Sequence, residues 1–411
     1  MKEENKKPKR KKTKWIKARH KIIRDVLIWI IYPLCVLMYG IKVRCFKEQG
    51  DRQYLILMNH TTAFDQFFVS MAFKGAVYYI ATEDIFSLGW LSSLLRFFLA
   101  PIPIKKQTTD ARAVMNCMRI AKEGGTIALA PEGNRTYSGR TGYMNPAIVS
   151  LIRALKLPVA IFHIENGYGV QPRWSDVRRR GKMSAGVSRV IEPEAYKAMS
   201  DDEFFSLIQK ELHVEENCIS GTFRSKKSAE YMERAIYVCP WCGLSEFESA
   251  GDEVTCKKCG RRVRYFATKE MEGIGFEFPF RFFGEWYDYQ NEFVRGIDPA
   301  AYYDAPMYRD KARVSEVIVY ERKNLLSKDT SVALYGNRVE LRGENGFSVD
   351  LPFDEVKAVA VLGRNKLNIY HGDKIYQFKG DKRFNALKYV NMFYHYEYAV
   401  KGEGDKEFCG L

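Results

Sequence analysis

No stretch of this sequence is apolar for the roughly 20 residues that an unbroken membrane-spanning helix requires. The longest apolar run, Val26 to Ile41, holds sixteen residues and is interrupted by Pro33. Nor does a small-residue cleavage site follow it. Lys42-Val43-Arg44-Cys45 comes next, which excludes a secretory signal peptide. The nine cysteines show no secretory disulfide framework, and four of them form two CxxC pairs, so the composition places the chain in a reducing compartment. Acid is scarce at the start: the first 24 residues hold nine Lys and three Arg against two Glu, a local +10 out of the chain's +15. A tail of that kind implies an anionic partner, nucleic acid or an anionic membrane surface, and composition does not choose between them.

The apolar run admits three readings: an interfacial or re-entrant anchor, a true span, or an internal core helix. The adjoining Lys/Arg cluster and Trp29, Tyr32 and Tyr39 favour the interface, where amphipathic rings and basic groups settle at the headgroups.

A length of 411 residues accommodates two to four domains. Beyond the basic tail and anchor (1–50), residues 51–215 alternate strand and helix patterns. Strands are expected at Arg52–Met58, Gly75–Ala81, Ala100–Ile104, Thr126–Ala130 and Pro158–Ile164, and helices at Gln66–Phe73, Asp110–Glu123 and Pro146–Leu155. This is an α/β domain, a mixed sheet flanked by helices, with functional loops at strand ends. Thr82-Glu83-Asp84 would cap another helix through Phe97, apolar on nearly every face. Full burial is the favoured reading, and a surface dipping into lipid is the other.

The second half has a different texture. Cys239-Pro240-Trp241-Cys242-Gly243 and Cys256-Lys257-Lys258-Cys259-Gly260 are two matching knuckles whose four thiolates suit one tetrahedral Zn²⁺ in a structural role. This unit spans 216–268, with its core at 237–265, and resembles a zinc ribbon. The aromatic-rich connector 269–310 reads as a packing seam for the small metal module. Residues 311–401 show short strands broken at hairpin-like Tyr335-Gly336-Asn337, Gly343-Glu344-Asn345-Gly346 and His371-Gly372-Asp373, then one helix over Arg383–Val400. A small antiparallel β domain closed by a C-terminal helix is expected, and it resembles pleckstrin-homology-like domains, which implies membrane or protein docking or structural support.

Chemistry concentrates at Asn59-His60-Thr61-Thr62-Ala63-Phe64-Asp65, where a buried strand exits toward a helix. A His with an Asp five residues on suits a general base oriented by a carboxylate. The pair is short enough to arise by chance, so its context decides. That context is Pro131-Glu132-Gly133-Asn134-Arg135-Thr136, which follows a strand expected to neighbour the first. Glu132 and Arg135 around Gly133 supply a carboxylate and an anion-binding fork, and Lys105-Lys106 adds charge at a third strand end. A base, its orienter and an anion clamp on adjacent loops suit attack by a hydroxyl on an acyl carbonyl.

These residues resemble the glycerophospholipid acyltransferase superfamily, of the 1-acylglycerol-3-phosphate acyltransferase type, over about residues 50–215. The HX₄D block, His60 to Asp65, matches fully. Ile102-Pro103-Ile104-Lys105-Lys106 matches the second block loosely, and Pro131, Glu132, Gly133 and Arg135 match the third, with Asn134 and Thr136 as departures. Leu157-Pro158-Val159-Ala160 matches the last.

The resemblance implies a membrane enzyme of the cytoplasmic face. It would move a fatty acyl group from acyl-CoA or acyl carrier protein to lysophosphatidic acid and yield phosphatidic acid. His60 would deprotonate the acceptor hydroxyl, Asp65 would orient the imidazole, and Glu132 and Arg135 would hold the acceptor. Lys106 stands where the family has Arg, and Lys105 just before it. Lys keeps the charge and loses the bidentate fork, which leaves the acceptor open to another lysolipid or a glycolipid. The rival from another class is a zinc-ribbon nucleic-acid-binding protein. It accounts for the tail and the cysteines but not for His60–Asp65 with Glu132–Arg135, so no nucleic-acid partner is expected.

Overall fold

The computed structural model describes residues 14–82, 90–104, 111–318, 323–404 and 410. Lys105, Lys106, most of the basic tail and the expected Glu83–Asp84 cap lie outside the described residues.

The N-terminal run forms α1 (Ala18–Tyr39), longer than the apolar stretch because the basic residues before Val26 continue the helix. It ends where Gly40 takes a left-handed conformation (φ 60°). At 22 residues it is about 33 Å long, enough to cross a bilayer by length and composition. It is not a core helix. Trp29 and Leu37 are 83% and 85% exposed, and His20, Cys35 and Tyr39 are its buried residues. Along its protein-facing side, Arg24 donates to the carbonyls of Ser70 and Phe73, at the C-terminal end of the next helix, where cations are favoured.

Then follow β1 (Ile41–Val43), β2 (Leu55–Met58), α2 (Asp65–Ala72), β3 (Val77–Thr82), α3 (Trp90–Phe98), β4 (Ile102–Ile104), α4 (Ala111–Lys122), β5 (Thr126–Leu129), α5 (Ala147–Leu155), β6 (Val159–Glu165), α6 (Gly167–Val170), β7 (Met183–Ile191), α7 (Pro193–Lys197) and α8 (Asp201–Leu212). The strands form one sheet in the order β1-β7-β6-β2-β5-β3-β4, parallel except where β6 meets β7. It is the mixed α/β sheet the sequence implies. Its central strand β2 is wholly buried, as a continuous apolar run flanked by helices requires. The favoured reading of the apolar helix near Phe97 as fully buried is corrected: α3 is an edge helix against α1, with Trp90 78% and Phe97 50% exposed. Together α1 and α3 leave an apolar, aromatic-rich surface of a kind that marks interaction sites.

The four-cysteine module consists of β8 (Val238–Cys239), β9 (Gly243–Leu244), β10 (Phe247–Ala250), β11 (Glu253–Cys256), β12 (Arg262–Tyr265) and β13 (Met271–Gly273). The aromatic connector contains a helix, α9 (Phe283–Arg295). The last unit is a seven-stranded antiparallel sheet of β14 (Tyr308–Glu316), β15 (Asn324–Leu334), β16 (Arg338–Gly343), β17 (Ser348–Pro352), β18 (Val356–Leu362), β19 (Lys366–His371) and β20 (Lys374–Gly380). Its order is β17-β16-β15-β14-β20-β19-β18, and α10 (Leu387–Ala399) covers it.

One apolar cluster links these parts. Trp174, fully buried, lies 5.9 Å from the Tyr265 ring and 5.8 Å from the Phe283 ring, so the rim of the α/β domain, the four-cysteine module and the connector share a seam. The same cluster continues into the β domain through residues such as Val314, Leu367 and Phe393.

Candidate active site

Strands β2 and β5 pair in parallel with Leu57 opposite Leu129. Parallel register means both strands deliver their next loops to the same end of the sheet. His60 and Glu132 each lie three residues beyond that pair, and they meet: the His60 N–H donates to Glu132 Oε1 at 2.8 Å.

Asp65, the first residue of α2, is fully buried. An isolated buried carboxylate would be costly, and here each oxygen is met by donors. The Thr61 and Thr62 N–H groups reach Oδ2 at 2.8 and 3.0 Å, and the Thr62 N–H and hydroxyl reach Oδ1 at 3.0 and 2.6 Å. The helix N-terminus adds a favourable field for negative charge. His60 Nδ1 lies 2.7 Å from Oδ2. An ionised carboxylate only accepts, so Nδ1 carries the proton and Nε2 is left with its lone pair as a base. The imidazole is about a quarter exposed, at 26%. Asn59 fixes the loop from behind, exchanging hydrogen bonds of 2.8 and 2.9 Å with the Ile164 backbone at the end of β6.

Glu132 spans two loops: besides the His60 N–H it accepts the Gly142 N–H at 2.7 Å. Burial pushes its carboxyl up to about 8 against the pull of those two donors, with Asp65's charge raising it further. Gly133 follows with φ 66°, a left-handed turn residue that a side chain would strain. Arg135 lies beside the pair. Its Nη1 is buried with no hydrogen-bond partner among the described residues. Burial first, then the Arg173 and Arg364 charges, lower its pKa to about 10, while Asp65 opposes them.

The structure thus brings together His60, Asp65, Glu132, Gly133 and Arg135. Sequence reasoning missed Arg173, which is buried and joins the Arg135 carbonyl (2.8 Å) to the Gly363 carbonyl (3.1 Å) of the β domain. No local pattern marks it.

The four knuckle cysteines also converge. Their sulfurs all lie within 4.8 Å of one another, with Cys239 and Cys259 3.9 Å apart. A tetrahedron with metal–sulfur bonds of about 2.3 Å has edges of about 3.8 Å, so the residues fit a Zn²⁺-sized ion. Gly243 and Gly260, one residue past each knuckle, have φ of 67° and 73°, the turn the chain needs to wrap the sulfurs.

Residues 42–164, which hold these strand ends, the dyad and the neighbouring arginine, match the family model described as Acyltransferase. Among solved structures, the chain is similar to the 1-acyl-sn-glycerophosphate (LPA) acyltransferase PlsC from Thermotoga maritima, at 18% identity and a TM-score of 0.40. That similarity covers 47% of this chain and 77% of the other. No curated protein matches the chain.

Glu132 has a folded-state pKa above its unfolded value, so the folded state binds its proton more tightly. Its contribution to stability is present at pH below about 4.5 and is lost as pH rises toward about 8. Glu132→Gln removes that dependence. Melting temperatures of both proteins from pH 5 to 9 are expected to show the variant gaining on wild type as pH rises. A constant difference would contradict the buried-carboxyl account.

Proposed function

We propose that the chain transfers a fatty acyl group from a thioester donor, acyl-CoA or acyl carrier protein, to the free hydroxyl of 1-acyl-sn-glycerol 3-phosphate, making phosphatidic acid. The observation that carries this reading is the His60–Asp65 contact held beside Arg135 at the end of two paired strands. His60 Nε2 takes the proton of the acceptor hydroxyl as that oxygen attacks the thioester carbonyl. The C–S bond breaks as the new C–O bond completes, and the proton passes from His60 to the departing thiolate. Asp65 holds the tautomer this requires and stabilises the imidazolium. Arg135 provides positive charge for the acceptor's phosphate, Gly133 allows the turn that places it, and Glu132 keeps the loops bearing His60 and Arg135 in register. β4 runs parallel to β3, and Lys105 and Lys106, the next two residues in the sequence, would add charge for the acceptor.

The address of the substrate supports the reading. Tyr39, at the end of α1, packs 5.3 Å from the Phe64 ring of the dyad loop, so the apolar helix and the base are physically joined. With one face on the protein and another exposed, α1 is suited to lie in the interface, its basic start on anionic headgroups of the cytoplasmic leaflet. Co-sedimentation with anionic vesicles, weakened by replacing Trp29 and Leu37 with Asp, measures this. The cysteine cage holds structural Zn²⁺ on the same proposal, and metal analysis of the purified chain against Cys256→Ser tests it. The resemblance of the β domain to pleckstrin-homology-like domains supports a role in membrane or protein docking or in structural support.

Acyl transfer from radiolabelled acyl-CoA and acyl carrier protein to a panel of lysolipids tests the whole reading. His60→Ala is expected to lose activity by about 10²–10⁴-fold. Equal turnover by both proteins sinks the mechanism, and turnover confined to another lysolipid or a glycolipid replaces the acceptor.

A further inference from the structure

The turn between β18 and β19 carries Gly363 and Arg364 of the β domain onto the α/β domain, beside the candidate site. Arg173 clamps it there with two bonds in each direction. On one side it donates to the Arg135 carbonyl and to Asn134 Oδ1 (3.4 Å), and on the other to the carbonyls of Gly363 and Val361 (3.2 Å). Its guanidinium also stacks 4.4 Å from the Tyr137 ring, and the Tyr137 hydroxyl donates to the Arg364 carbonyl at 3.2 Å. The loop that bears Arg135 is therefore tied to a domain that lies outside the acyltransferase segment.

Three guanidinium groups gather at this junction. Arg173 is fully engaged by carbonyls, an amide oxygen and a ring. Arg364 pairs with Asp176 through one nitrogen, at 2.9 Å, and is about a third exposed. The same carboxylate takes a bidentate contact from Arg234 at 2.7 and 3.1 Å, so it is shared rather than dedicated to Arg364. Arg135 has its buried Nη1 unpartnered among the described residues. The Arg364 charge helps to lower the Arg135 pKa, in keeping with the backbone ties that bring the two loops together. Like charges collected around a buried, unpartnered donor cost energy unless an anion completes the set.

We propose that the β domain completes the acceptor site, Arg364 joining Arg135 around a phosphate monoester while Arg173 acts as the positioning residue that holds the two together. The proposal deepens the acyl-transfer reading and rests on it for the identity of the site. It makes the C-terminal half part of acceptor selection. An acyltransferase domain cut off before the β domain would lack one of the two arginines.

Equilibrium binding of sn-glycerol 3-phosphate, inorganic phosphate and glycerol to the full chain, followed by calorimetry, tests this without any turnover. Wild type is expected to bind sn-glycerol 3-phosphate and not glycerol, with Arg364→Ala weaker by about tenfold or more and Arg364→Lys intermediate. Equally tight inorganic phosphate identifies the phosphate as the recognised group. Asp176→Asn, which breaks the same ion pair but leaves Arg364 in place, is expected to bind as well as wild type or better. In acyl transfer, Arg364→Ala should raise KM for a phosphate-bearing lysolipid by a similar factor. Equal affinity in wild type and Arg364→Ala overturns the proposal, as does an equal loss in Asp176→Asn, which would make Arg364 a docking residue only. Should His60→Ala match wild type in turnover while Arg364→Ala still loses phosphate, the acyl-transfer reading fails and the anion site stands.

Discussion

The candidate active site depends on a single buried carboxylate. Asp65 is enclosed by protein, and its negative charge is tolerable only because the Thr61 and Thr62 backbone, the Thr62 hydroxyl, the His60 ring and the start of α2 all turn positive ends toward it. Those donors are consecutive residues of one loop, so satisfying the carboxylate also fixes the loop's shape. The His60 tautomer follows from the same bonds. Stability of the loop and basicity of Nε2 are two consequences of one set of contacts.

Around that point the structure adds ties of increasing range. Glu132 links the dyad loop to the strand-end loop of the neighbouring strand and to Gly142. Arg173 carries the linkage to the β domain, and the seam at Trp174 to the four-cysteine module. The four converging cysteines sit in a small module whose own core is slight. The aromatic connector then joins that module to the rest. Seen this way, the C-terminal half braces the loop that carries Arg135.

Much of this was legible in the sequence, and the legible parts have a common reason. Apolar runs such as Leu55–Met58 and Thr126–Ala128 are buried on both faces, so their hydrophobicity alone marks them as central strands, and the polar residues after them stand out as loops. The convergence of the cysteine knuckles was readable because each pair has a fixed local spacing that brings its two sulfurs together. Elements set by subtler patterns went unread. In the connector, Phe283, Trp286, Tyr287, Gln290 and Val294 follow a helical period, but aromatic density in every register hid it. The α8 start was signalled by Ser200 and Glu203, which form a capping box. Arg173 and Arg364 could not be found from sequence. Their meaning lies in a contact between segments 190 residues apart, and no spacing rule encodes such a contact. The edge position of α3 was likewise a tertiary fact, decided by α1 packing beside it rather than by composition.

The most direct measurement is the turnover of Asp65→Asn against wild type, with the ¹⁵N spectrum of His60 recorded on the same samples. An amide removes the charge that stabilises the imidazolium and turns a donor end on either the His60 ring or the Thr62 groups, so the contact that fixes the Nδ1 proton is weakened. Acyl transfer should then fall by about 10⁴-fold, the scale seen when the orienting carboxylate of a serine-protease triad is replaced by its amide. A folded Asp65→Asn protein that keeps its Nδ1 proton and turns over within a few-fold of wild type would contradict the account.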